Sequence, residues 1–241
     1  MNITRKLVVA TISLSLVISA TLRAKQVELH FDKGEVLSLQ SSINQPDNLE
    51  AKRKYFAAVF PIASKLGVQF LGVFNVEEQL AGSQEFPKFG IAKMPNLQMK
   101  EELHTTYLPQ WVHERENKPD IWIEQVQRDF EMKTATKFTF DSDKYYQVES
   151  FWLQEDKADE FADYRSTRQS LQYQYKGSVF FEAGLPNKYE TLSTERAPSH
   201  TVITEWESKE QFEVYNQLPQ TKPFKYLAGY NAWLMTIIVA G

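Results

Sequence analysis

Thr201-Val202-Ile203-Thr204-Glu205-Trp206, then Ser208-Lys209-Glu210-Gln211, then Asn231-Ala232-Trp233-Leu234-Met235-Thr236-Ile237-Ile238-Val239: these three segments of the stretch from Ser199 to Val239 decide the fold. The first is rich in β-branched and aromatic residues, the composition of a strand. The second has the S-x-x-Q spacing of a capping box, which satisfies free backbone N–H groups where a helix opens. The third is an almost unbroken apolar run, as expected of a strand covered on both faces. Strand, amphipathic helix, strand is therefore the order in which this stretch folds.

Working back from it, Tyr145 to Leu153 reads as a strand and Asp156 as an N-cap with Asp159 three residues on. Phe161, Tyr164, Arg168, Leu171 and Tyr175 share one helix face, Lys176-Gly177 ends that helix, and Ser178 to Ala183 is a strand. Gly184 to Pro198 is a loop leading into the opening stretch. From Tyr145 the order is thus βαββαβ.

The same order is legible earlier. Val27 to Phe31 is a short strand or extended arm, and Glu35 to Ser42 is a better strand. Asp47, with Glu50 three residues on, caps a helix whose apolar residues Tyr55, Val59, Ile62 and Leu66 form one face; Pro61 should kink it and Gly67 should end it. Val68 to Phe74 and Phe86 to Met94 follow as strands. Asn96 caps a second helix carrying Leu97, Met99, Leu103 and Tyr107, Pro109 breaks it, and Asp120 to Val126 closes the unit. Arg128 to Lys144 reads as a polar connector whose start can extend that last strand.

The two passes align. Asp47 matches Asp156 and Tyr55 matches Tyr164 at the same separation, Leu108-Pro109-Gln110 recurs as Leu218-Pro219-Gln220, and Trp122 recurs as Trp233. A duplicated unit explains four matches in order at corresponding elements. The expected class is α+β, with two tandem ferredoxin-like βαββαβ units: residues 25–131, a connector at 132–144, and residues 145–241. Each unit lays two helices on one face of its sheet, and the bare faces are expected to stack sheet on sheet.

Met1-Asn2-Ile3-Thr4-Arg5-Lys6 is a short positive segment that runs into an apolar stretch from Leu7 to Leu22. This is the pattern of a signal peptide, cleaved after Ala20 or Ala24, and it implies export to the periplasm or beyond without stable membrane insertion. The chain has no cysteine, which excludes disulfides, thiolate nucleophiles and lipidation at a cleavage-site cysteine. A net charge of −4 with both signs mixed and no basic run speaks against nucleic acid as a partner. The aromatic share, 13%, points to thick cores or an aromatic-lined pocket for a small apolar or aromatic ligand.

Lys176-Gly177-Ser178-Val179-Phe180-Phe181-Glu182-Ala183-Gly184, Tyr189-Glu190-Thr191-Leu192 and the segment from His200 to Tyr215 resemble the dimeric α/β-barrel superfamily of ferredoxin-like fold, closest to its bacterial domains of unknown function. The resemblance covers the second unit well and the first by pattern. It implies a barrel made of two such units, usually a homodimer and here one chain, with a pocket between sheet and helices. Members include cofactor-independent monooxygenases, isomerases and haem-binding branches. The usual paired glycines after the first helix are reduced here to Gly177 alone.

Arg168 falls in the middle of an apolar helix face, where a guanidinium needs either an anionic ligand or a structural partner such as Glu149 or Glu205. His200 begins a strand at the rim of the expected pocket. With Glu205 and Arg168 it forms the candidate catalytic set for polarising an enolisable substrate. Arg168, Tyr164, Trp206, Glu149 and Trp152 form the candidate ligand-binding set; each has an ordinary role in the core or in an ion pair as its competing explanation. Glu124 is a further carboxylate within an apolar strand. His104 and His113 are placed to serve as a general base or haem ligand, or to face solvent. No H-x-H, H-x-x-x-H or H-E-x-x-H spacing occurs among the four histidines, so no metal site is read, and no cofactor is assigned. Nucleophile elbows and phosphate-binding glycine loops are absent as well. Three functions remain: a small-molecule-binding protein with an apolar aromatic pocket, a cofactor-independent monooxygenase or isomerase, and a protein-interaction module.

Overall fold

A computed structural model describes residues 26–107 and 121–239. The leader at 1–24, the Leu108-Pro109-Gln110 match and His113 lie outside the described residues, as does the side chain of His104. In chain order the elements begin β1 (Gln26–Phe31), β2 (Val36–Asn44), α1 (Leu49–Lys65), β3 (Gln69–Ala81), β4 (Lys88–Met94) and α2 (Met99–Glu102), which continues as a π-helical turn, Leu103–Tyr107. They go on with β5 (Trp122–Glu131), β6 (Thr136–Asp141), β7 (Tyr145–Leu153), α3 (Ala158–Gln174), β8 (Gly177–Ala183) and β9 (Lys188–Thr191). The last are β10 (His200–Trp206), α4 (Lys209–Asn216), a 3-10 turn (Pro219–Thr221) and β11 (Leu227–Val239).

Among the described residues, nine strands form one antiparallel sheet in the order β8-β10-β7-β11-β3-β4-β2-β5-β9. Within each half the order is second, third, first, fourth strand: β3-β4-β2-β5 and β8-β10-β7-β11. Both helical crossovers in a βαββαβ chain produce this interleaving.

The halves are not two separate sheets stacked face to face, the arrangement expected from the sequence. They join through their edges: β11 pairs with β3 from Ala232 to Val239, and β5 pairs with β9 from Val126 to Asp129. The ends of the strand order, β8 and β9, are separated in the chain by residues 184–187 only, so the sheet curves until its ends meet. Phe130 on β5 touches Phe181 on β8 across that closure, with ring centroids 5.1 Å apart. Edge joining satisfies the backbone N–H and C=O groups that stacked sheets would leave open at four edges.

The inward residues of the curved sheet form the main core. Leu39, Phe89, Ile91, Val126, Val148 and Trp233 are all at most 2% exposed and belong to it. The stretch read as a polar connector contributes too, and its first residues extend the preceding strand. Arg128 to Glu131 still belong to β5, and β6 zips against β1 from Gln26↔Asp141 to Phe31↔Thr136. The resulting ribbon presents Phe31, Phe138 and Phe140 to the core, where Phe140 meets Phe180 at 4.8 Å and Phe74 at 5.9 Å. Lysines and aspartates hide this segment in a composition average, whereas Phe138 and Phe140 alternate as a half-buried strand requires.

Local signals fared unevenly. Tyr55, Val59, Ile62 and Leu66 do pack as one face of α1, which continues past Pro61 to Lys65. Gln211 N donates to Ser208 Oγ (3.4 Å) and Met99 N to Asn96 Oδ1 (2.9 Å), as the capping patterns require. The other two caps shift by one residue: α1 is preceded by Asn48 rather than Asp47, and α3 by Lys157 rather than Asp156, which turns with φ 59°. Gly177 has a packing reason, since a Cβ there would stand 2.6 Å from the Trp206 ring.

Candidate functional site

Arg168 is 1% exposed and sits between the sheet and its helices. Its Nη1 donates to Glu149 Oε1 (2.7 Å) and to Tyr164 Oη (3.1 Å), and its Nε donates to Tyr215 Oη (2.9 Å). Tyr230 Oη donates to the same Glu149 oxygen at 2.5 Å. Burial opposes the charge of Arg168, but Glu149 and the surrounding tyrosines raise its pKa well above the ordinary arginine value. Burial, and then Glu149, push Tyr230 in the same direction, so it stays a neutral donor. The charge on α3 is thus answered from β7, with phenols from α3, α4 and β11 adding hydrogen bonds; Glu149 Oε2 has no partner among the described residues.

Trp206 is fully buried against Phe212 and Tyr215, forming the hinge between β10 and α4. Trp152 lies at the far end of β7 and donates through Nε1 to the Arg196 carbonyl at 2.8 Å. Of the five candidate ligand-binding residues, Trp152 alone borders a surface groove; Tyr164, Glu149 and Arg168 lie between the sheet and its helices, and Trp206 stands at the other end of β7, paired with Tyr145.

The three candidate catalytic residues are not brought together. His200 and Glu205 occupy the two ends of β10, a separation of roughly 16 Å at strand rise. His200 Nε2 meets Glu182 Oε1 at 2.8 Å, and its ring packs on Phe161. Burial would raise the Glu182 pKa, yet hydrogen bonds from His200 and Arg165 hold it down at about 2. Glu205 pairs instead with Lys144 Nζ at 2.5 Å and accepts from Tyr146 Oη at 3.3 Å.

The groove has a volume of about 530 Å³ and is lined by Gly82, Ser83, Trp152, Glu195, Tyr230 and Asn231, among others; Tyr230 turns its ring to the other face of the sheet, onto Phe151. It stands at the end of β7 opposite the β1–β6 ribbon, because the ribbon's Phe140 packs on Tyr146 at the start of that strand. Gly82 has φ +90°, and a Cβ there would overlap Asn231 Oδ1, so β3 can turn past β11 only without a side chain. Asn231 Oδ1 then accepts from Ser83 N at 3.1 Å. Gln84 follows: its carbonyl accepts from Trp233 Nε1 (3.0 Å), and its Nε2 donates to Glu195. The Glu195 pKa is raised by burial, against an opposing pull from the charge of Arg128.

Arg128 itself is 1% exposed and faces the barrel interior, in line with Val126 and Phe130 on β5 and opposite Leu39 and Tyr189 on the neighbouring strands. Its Nε and Nη2 have no hydrogen-bond partner among the described residues. Burial pulls its pKa below the usual arginine range, with Tyr189 and Glu195 acting the other way. Sequence reading overlooked Arg128, Glu195 and Tyr230. For Arg128 the signal was present: one cation in the period-two apolar stripe Val126, Arg128, Phe130.

No protein-family model matches the sequence, and no curated protein matches it. Among solved structures, an anthrone oxidase-like protein is 14% identical, covering 89% of this chain and 97% of its own, with a TM-score of 0.54. The two chains share a fold. Chlorite dismutase from Candidatus Nitrospira defluvii, solved with imidazole, is 8% identical over 86% of this chain and 92% of its own (TM-score 0.44). A candidate monooxygenase from Lactobacillus acidophilus is 9% identical over 87% of this chain and all of its own (TM-score 0.40). At these identities the likeness is one of architecture, with no transfer of activity.

Proposed function

We propose that this is an exported small-molecule-binding protein, periplasmic or secreted, that holds its ligand in the groove between Trp152 and Tyr230. The observation that carries the reading is the groove, whose size is that of a small-molecule site and whose lining sets Trp152 beside a few polar groups, among them Ser83, Glu195 and Asn231. Arg168, Glu149 and Tyr164 serve it from the other face of the sheet: the ion pair fixes the Tyr230 hydroxyl there, and with it the β11 backbone that borders the groove. Trp206 steadies α4, which supplies Tyr215 to the same network. Export is supported by the cationic and apolar leader at 1–24. Duplication of one ferredoxin-like unit is supported by the repeated strand order and the matched spacings of Asp47 with Asp156 and Tyr55 with Tyr164. Native mass spectrometry of protein purified from its own host tests the binding role. A retained organic molecule that is lost in Trp152→Ala is the expected result; a bare mass in both proteins would refute it.

A second reading, a cofactor-independent oxygenase or isomerase, has one observation in its favour. Glu182, held ionised, orients the half-exposed His200 as a carboxylate orients a general base. Turnover of an enolisable aromatic substrate that disappears in His200→Ala would support it; unchanged turnover would remove His200 from it.

A further inference from the structure

Arg128 has an unusual pattern of unmet demand. A buried guanidinium normally satisfies its N–H groups, and leaving them open is costly. Here the two open nitrogens are Nε and Nη2, which share one edge of the guanidinium and direct parallel N–H bonds. That edge matches the two oxygens of a carboxylate, the geometry for which arginine is chosen over lysine. Its surroundings are apolar, with Val126, Phe130 and Leu39 in the same core. Another group on the neighbouring segment is open as well: Gln84 Oε1 lacks a partner among the described residues. The carboxylate that could serve Arg128 from within the chain, Glu195, is bonded to Gln84 instead and lines the groove.

We infer that the Nε–Nη2 edge of Arg128 is a carboxylate-binding fork, and that the ligand is a small organic acid with an apolar or aromatic body. It enters from the groove beside Glu195, and its carboxylate docks on Arg128. With the small-molecule reading above as its premise, the fork adds the chemical class of the ligand. Glu195 lines the groove and acts electrostatically on Arg128, and its bond to Gln84 keeps this competing side-chain carboxylate off the fork.

The test is isothermal titration of the full-length protein with formate, benzoate and 2-naphthoate, and with the neutral 2-naphthamide. Benzoate or 2-naphthoate should bind saturably, and the amide about tenfold or more weakly, the discrimination of a lost charge-assisted bidentate pair. Arg128→Met should abolish that preference, and Arg128→Lys, which keeps the charge but not the fork, should lose most of it. Melting of the ligand-free variants is the second readout: Arg128→Met should melt no lower than wild type, since it removes a buried charge with open donors. Equal binding of acid and amide, a preference that survives Arg128→Met, or a lowered melting point with binding intact would each overturn the fork while leaving the groove reading standing. Formate alone binding would mean an adventitious ion only, and none of the three acids binding would mean no carboxylate site; both overturn the proposal.

Discussion

Arg168 on α3 and Glu149 on β7 are 2.7 Å apart, with side chains 1% and 0% exposed. Each is the reason the other can be charged inside the protein. Removing one partner strands a buried charge, which typically costs about 3–5 kcal/mol, whereas replacing both with apolar residues is often close to neutral. Arg168→Leu should therefore lower unfolding free energy in urea by roughly that amount, and Arg168→Leu with Glu149→Leu should recover at least half of the loss. A double variant as unstable as the sum of the singles would show that the pair is not coupled.

Gly177 sits where a methyl group would press on Trp206, 2.6 Å from its ring. Trp206 is fully buried, with Tyr215 4.7 Å away and Phe212 5.6 Å away, so it has little room to move. Gly177→Ala should cost about 1–3 kcal/mol, the range of overpacking in a filled core, and should blue- or red-shift the tryptophan emission. A loss below about 0.5 kcal/mol would mean that the ring yields.

Glu182 ties His200 to Arg165, and its folded pKa of about 2 lies below the ordinary 4.5. Because the folded value is depressed, the stability it contributes is complete above about pH 4.5 and is lost as pH falls through 2. Thermal melts between pH 5 and pH 2 should thus fall more steeply in wild type than in Glu182→Gln. Parallel slopes would contradict the assignment.

Periodicity made the two βαββαβ halves legible, since strands and helix faces are set by neighbours within one element. Edge joining was not, because β3–β11 and β5–β9 pair residues far apart in the chain and no local pattern encodes which edges meet. The β1–β6 ribbon was missed because its aromatics, Phe138 and Phe140, stand among charged residues. At the site, Arg168 was legible as a cation in an apolar helix face, and Glu149 as one of its two possible partners. Arg128 follows the same rule at strand period. Glu195 and Tyr230 gain their places only from tertiary folding, one on the long link before β10 and the other where β11 passes Gly82.

Ligand occupancy of the groove is most directly measured by hydrogen–deuterium exchange, comparing protein as isolated from its host with the same protein unfolded, stripped and refolded. Exchange should be slower in the isolated form at Gly82–Ser83 and at Ala228–Asn231, and unchanged along α1. Identical exchange at those two segments in both forms, or protection confined to other surfaces, would contradict binding at the Trp152–Tyr230 groove.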